Sequence, residues 1–105
     1  MEDHMPRTVR VTAGDEVYAG GTITELSGKD ISGDTIVLAL LPLGSKPDET
    51  TTDTAPDVDE SPAPAQRVVK MLITDDVEPG SYQLWARITD NPEQEWLRLD
   101  TVNTI

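Results

Sequence analysis

The chain has no cysteine and no phenylalanine, and it has one histidine. Without cysteine there is no disulfide framework, no thiolate metal site and no Cys nucleophile. The single histidine, His4, sits in a polar N-terminal tail, residues 1–6. A Ser–His–acid triad would have to be built on that tail, and a solvated tail imidazole is the simpler reading. Aromatic residues are scarce too, with two Trp and two Tyr, so the core has to be assembled from Val, Ile and Leu. The longest apolar run, 36–43, is strand-sized and interrupted by Pro42; it is far short of the roughly 18 apolar residues of a membrane span. The opening Met1-Glu2-Asp3-His4-Met5-Pro6-Arg7 is followed by no apolar stretch, so no secretory signal is expected. Basic residues are few. Eight Lys and Arg face twenty Asp and Glu, a net charge of −12. Such a chain repels phosphate backbones and anionic lipid heads, and neither nucleic acid nor membrane is expected as a direct partner. The charge reads first as solubility and second as a surface for a basic partner.

What the chain does contain is alternation. With 105 residues it is long enough for one domain, 1–105. Short β-branched or alternating segments recur at 7–12, 17–18, 22–26, 35–41, 67–74, 82–89 and 96–102, separated by Gly, Pro, Asp and Ser, and no helical period appears. That pattern predicts an all-β, antiparallel β-sandwich of about seven strands. The segment 35–41 is almost wholly apolar, as a strand covered on both faces would be. The segment 44–66 is different. It carries Pro47, Pro56, Pro62 and Pro64, six acids against Lys46, and Val58 as its only large apolar residue. It cannot bury enough apolar area to offset its ordering entropy. The expectation is one long acidic Pro/Thr-rich loop, with residues 48–60 dispensable for the fold.

The stretch Pro79-Gly80-Ser81-Tyr82-Gln83-Leu84-Trp85-Ala86-Arg87-Ile88 is the clearest strand. Pro79 and Gly80 supply a turn. Tyr82, Leu84, Ala86 and Ile88 then share one face, with Gln83, Trp85 and Arg87 on the other. In the last strand Leu97, Leu99 and Thr101 share a face, opposite Trp96, Arg98, Asp100 and Val102. If the aliphatic faces turn inward, Trp85, Arg87, Trp96 and Arg98 form an outward amphipathic patch of residue types enriched at interface hot spots. The competing arrangement places one Trp in the core or across a sheet edge. Gly80, Tyr82 and Leu84 read as structural.

Motifs for chemistry are weak. Asp57-Val58-Asp59-Glu60 has carboxylates at alternate positions but lacks the glycine of an EF-hand loop, and it runs into Ser61-Pro62. Ser27-Gly28-Lys29-Asp30 lacks the first glycine of a phosphate loop and opens no helix pattern. The acids of 44–66 have no rigid cleft to hold them apart, as glycosidase carboxylates require. No metal, cofactor or catalytic residue is expected, and the chain reads as a non-enzyme.

Pro79-Gly80-Ser81-Tyr82-Gln83-Leu84 resembles the entry to strand F of immunoglobulin-like domains, with Leu84 standing where the disulfide cysteine would be. In those domains the tyrosine hydroxyl bonds back to the corner backbone. The wider layout resembles small immunoglobulin-like virion proteins of tailed bacteriophages, particularly those infecting actinobacteria, and the N-terminal domain of phage baseplate upper proteins. The residues that carry this are the Ser-Gly-x-Asp-x-Ser-Gly lead-in from Ser27 to Gly33, the buried strand 35–41, the polar loop, the Pro-Gly-x-Tyr turn, and Trp-x-Arg-x-Thr-Asp-x-Pro-Glu from Trp85 to Glu93. The resemblance implies a structural protein in the virion, within a symmetric assembly. Its partners would be the major capsid protein or neighbouring copies of itself, with head decoration as the role. Two alternatives stay open: a tail or baseplate position, and a stand-alone module that binds a host glycan or protein.

Overall fold

The computed structural model describes residues 8–12, 15–25, 27–48, 50–74, 76–88 and 96–105. Seven strands follow one another: β1 (Thr8–Val11), β2 (Val17–Thr24), β3 (Ile36–Pro42), β4 (Val58–Ala63), β5 (Gln66–Ile73), β6 (Gly80–Ile88) and β7 (Leu97–Thr104). They form two sheets, ordered β1-β7-β6-β3 and β2-β5-β4. The chain is therefore an all-β sandwich, as the alternation predicts. Every strand pair is antiparallel except β1–β7, which is parallel.

The core lies between the sheets. Val9, Val11, Ile36, Leu38, Leu84, Ala86, Ile88, Leu99 and Val102 come from one sheet, and Ala19, Ile23, Val69 and Ile73 from the other. Period-two alternation places them there: in β6, Leu84, Ala86 and Ile88 point inward, as the sequence indicates. Ile31 joins the core from the turn before β3.

Four features depart from the sequence reading. First, β2 runs unbroken through Gly20-Gly21 rather than as two short strands. A Cβ on Gly20 would lie 2.0 Å from the Val69 carbonyl oxygen, so only glycine keeps the strand continuous against β5.

Second, the segment 44–66 is not all loop: β4 occupies Val58–Ala63. Its residues are largely exposed because it is the edge of the smaller sheet, and so no apolar alternation marks it. Two carboxylates fasten it instead. Asp57 Oδ2 accepts the Leu72 N–H at 2.7 Å, and Asp59 pairs with Arg67. Asp57, Asp59 and β4 are thus part of the fold, against the expectation of one long loop.

Third, the β6–β7 register shifts between Gln83 and Trp85. Gln83 faces Thr101 and Trp85 faces Arg98, so Leu99 and Asp100 together oppose Leu84, a β-bulge. The bulge resets the facing of β7: Leu99, Asp100 and Val102 are all buried, while Thr101 is half-exposed. Gln83 satisfies the disrupted ladder by donating from Nε2 to the Leu99 carbonyl at 2.8 Å and the Leu84 carbonyl at 2.9 Å. Asp100 turns across the sandwich and accepts the Gly20 N–H at 3.0 Å.

Fourth, β3 is not covered equally. Ile36, Leu38 and Ala39 are buried, but Val37, Leu40 and Leu41 are half-buried, because β3 is a sheet edge. Its outer rim is partly closed by Thr54, which exchanges both backbone hydrogen bonds with Leu38 at 2.7 and 2.8 Å.

Candidate interaction face

The face of the β1-β7-β6-β3 sheet that points away from the core carries a repeated Trp-x-Arg: Trp85-Ala86-Arg87 on β6 and Trp96-Leu97-Arg98 at the start of β7. Antiparallel pairing of Trp85 with Arg98 and of Ala86 with Leu97 sets each Trp opposite an Arg. The Arg87 guanidinium lies 4.6 Å from the Trp96 ring centroid, and that of Arg98 lies 5.9 Å from the Trp85 ring. Each pair is a cation–π contact of about 0.5–1 kcal/mol at an exposed site, rising as water is excluded.

The four residues that the sequence groups as an outward patch therefore share one face, but they are not equally open. Trp85 is only 9% exposed. Its neighbour across β3 is Ala39, itself buried, whose small side chain leaves room for the indole. Arg87 retains 24% side-chain exposure and donates from Nη2 to Asp53 Oδ2 at 3.1 Å. Trp96 is half-buried and Arg98 is exposed. Trp85 is thus outward-pointing yet buried, and the more open members of the patch are Arg98 and the half-buried Trp96.

The segment after β3 runs beside Trp85. Leu43 N–H still bonds the Ser81 carbonyl at 3.0 Å, continuing the β3–β6 ladder. Ser45 N–H then bonds the Pro42 carbonyl at 3.0 Å, and Gly44 has φ of +94°. A four-residue turn with a left-handed third residue follows from that glycine. It carries Ser45 and Lys46 beside Trp85, and between them lies a recess of 130 Å³, also bordered by Leu43, Gln83 and Arg98. Beyond it, Asp48 accepts the Thr50 hydroxyl at 2.7 Å and the Thr50 N–H at 2.8 Å. These bonds, the hydroxyl first, hold its carboxyl below the ordinary aspartate range. The segment then returns to the face through Asp53 and Thr54. The Trp85 indole Nε1 and the Arg87 Nε are buried with no hydrogen-bond partner.

The structure places the three residues read as structural as follows. Leu84 is fully buried. Tyr82 donates its hydroxyl to the Glu78 carbonyl at 2.8 Å, closing the corner, and Thr104 Oγ1 bonds the same carbonyl at 2.8 Å. Gly80 has φ of +155°, and a Cβ there would sit 3.6 Å from the Tyr82 ring.

Sequence reasoning missed the Arg67 clamp. Arg67 is buried, with Nε 2.8 Å from Asp59 Oδ1, and its Nη1 donates to the carbonyls of Ile31 at 2.8 Å and Asp34 at 2.5 Å. A lone base beside an acidic segment was the available signal. The clamp also occupies Asp59, one of the alternating carboxylates of 57–60. Among the described residues no group of three or more His, Asp or Glu converges as metal ligands do. His4 and residues 89–95, which include the second half of the Trp85 to Glu93 motif, lie outside the described residues.

The sequence matches no protein-family model and no curated protein.

Proposed function

We propose that the chain is a non-enzymatic structural module of a tailed-phage virion, and within the virion a head decoration or accessory protein that binds capsid subunits through sheet faces, edges and termini. The observation that carries a binding role is the Trp–Arg face. Two cation–π pairs lie on one face, with Arg98 and part of Trp96 open to a partner. Trp and Arg are the side chains most enriched where interfaces concentrate their energy.

Two features support the immunoglobulin-like part of the reading. The Tyr82 hydroxyl bonds the Glu78 carbonyl at the turn on which the resemblance rests. Strands 2, 5 and 4 lie in one sheet and 3, 6 and 7 in the other, the membership of a seven-strand immunoglobulin sandwich. The first strand differs from the constant-type arrangement by lying against the last. The acids nearest to any conceivable chemistry are engaged in the fold: Asp53 with Arg87, Asp57 with the Leu72 N–H, Asp59 with Arg67, and Asp100 with the Gly20 N–H. A chain of net charge −12 that coats a particle would also keep particles apart.

The test is direct. Virions of the phage that encodes the chain are purified on a density gradient, the chain is quantified against the major capsid protein, and particles are labelled with gold-conjugated antibody. The proposal expects many copies per particle at a fixed ratio, with label on the head. Label confined to the tail tip would replace head decoration by a baseplate role. Absence of the chain from purified virions would overturn the virion reading.

A further inference from the structure

We propose that the recess beside Trp85 is a carboxylate-binding site whose occupant is a single Asp or Glu side chain on a partner protein other than a second copy of this chain. The inference rests on the reading of this face as a partner surface. It does not require that the partner be a capsid protein.

Charge is the first argument. The chain has eight basic residues and twenty acids. Arg67 and Arg87 are committed to Asp59 and Asp53. Lys46 and Arg98 both border the recess, and among the described residues neither makes an ion pair. Among the described residues, no Asp or Glu borders it. In a molecule with so many carboxylates, two cations that make no ion pair among the described residues and meet at one concavity make a local positive site in a negative field. Guanidinium and ammonium groups placed this way bind a carboxylate through charge-assisted hydrogen bonds.

Shape and chemistry are the second. A recess of 130 Å³ has room for one acidic side chain. Leu43, 58% exposed, and the Trp85 ring offer apolar contact to side-chain methylenes, and the Ser45 hydroxyl adds a donor. Trp85 is nine-tenths buried and its indole N–H has no acceptor. Trp85 borders the recess, so an occupant changes the surroundings of its indole. A second copy of the chain is disfavoured as occupant because two surfaces of net charge −12 repel.

The probe is the blocked peptide acetyl-Ala-Ala-Glu-Ala-Ala-amide, with its Gln counterpart as control, titrated into isotope-labelled protein. The indole N–H signals of Trp85 and Trp96 are followed by NMR. The Glu peptide is expected to move the Trp85 signal saturably and more than the Trp96 signal. Arg98→Gln should weaken apparent binding about tenfold, the loss expected for a hydrogen bond to a charged group, and Arg98→Lys should restore part of it. Lys46→Gln, on an exposed turn, gives a second variant that leaves the Trp–Arg stacking in place. No saturable shift, an equal shift with the Gln peptide, or a shift that survives both Arg98→Gln and Lys46→Gln overturns the proposal. Because the measurement uses isolated protein, its failure leaves the virion reading standing, and the absence of the chain from virions leaves this site standing.

Discussion

Arg67 on β5 reaches diagonally to Asp59 on β4, whose register partner is Val69, with Arg67 Nε 2.8 Å from Asp59 Oδ1 and the Arg67 side chain 7% exposed against 32% for Asp59. The same guanidinium reaches the carbonyls of Ile31 and Asp34 in the turn before β3. One buried cation thus ties together an edge strand, its neighbour and a connecting turn.

Removing one member of such a pair leaves a buried charge or buried carbonyls without partners. Arg67→Ala should cost on the order of 3–5 kcal/mol, read from urea unfolding. Asp59→Asn should cost less, because solvent reaches that carboxylate. Deleting residues 48–60 removes Asp59 together with the start of β4 and should abolish the cooperative transition. A loss below about 1 kcal/mol for Arg67→Ala would show that the clamp does not hold the sheet.

Gly20→Ala places a methyl group 2.0 Å from the Val69 carbonyl oxygen. Relief requires β2 to move from β5, and the movement also strains the Gly20 N–H bond to Asp100. The expected cost is about 3 kcal/mol, the upper part of the usual range for overpacking, measured as a fall in unfolding midpoint. A variant within about 0.5 kcal/mol of the parent would mean that the strands are spaced more widely than the register shows.

Tyr82→Phe deletes the hydroxyl bond to Glu78 and keeps the ring. The expected loss is about 1 kcal/mol with unchanged β content. The Gly80 turn, which packs under the same ring, should show faster amide exchange. An unchanged melt and unchanged exchange would make the corner bond incidental.

Strong acid should release the side-chain bonds that hold three turns. Asp48, Asp30 and Glu25 are each held below their ordinary values, Asp48 chiefly by the Thr50 hydroxyl, Asp30 by the Ser32 hydroxyl and Glu25 by the Ser27 N–H. A depressed folded-state pKa means that the stabilisation is complete above the ordinary carboxylate value and is lost as pH falls through the folded one. The Thr50 amide should therefore titrate with a midpoint below about 3.9, the ordinary aspartate value, as followed by NMR. A midpoint at or above it would show that the Asp48 bonds do not form in solution.

The degree to which the sequence discloses this fold varies by element, for physical reasons. In β6 inward Leu84, Ala86 and Ile88 alternate with polar or amphipathic neighbours, so the facing is legible. In β7 the bulge at Leu99 and Asp100 carries no Gly or Pro to mark it, and so Val102 reads as outward when it is buried. β4 has exposed Asp59, Glu60, Ser61 and Pro62 and no apolar stripe; its pairing is decided by β5 and by Arg67. The Trp-x-Arg repeat shows in the sequence which four residues share the face. The burial of Trp85 does not show, because its neighbours Ala39 and the Gly44 turn lie some forty residues earlier in the chain.

The central claim is that the chain works by binding through the Trp–Arg face. Particles assembled without the chain are mixed with the purified protein or with the Trp96→Ala/Arg98→Ala double variant, and bound protein is measured by co-sedimentation. The two side chains are half-buried and exposed respectively, and retention of a cooperative melt confirms that the variant is folded. The account predicts saturable binding of the parent and loss of most binding in the variant. Equal binding of the two proteins to the particles would contradict it.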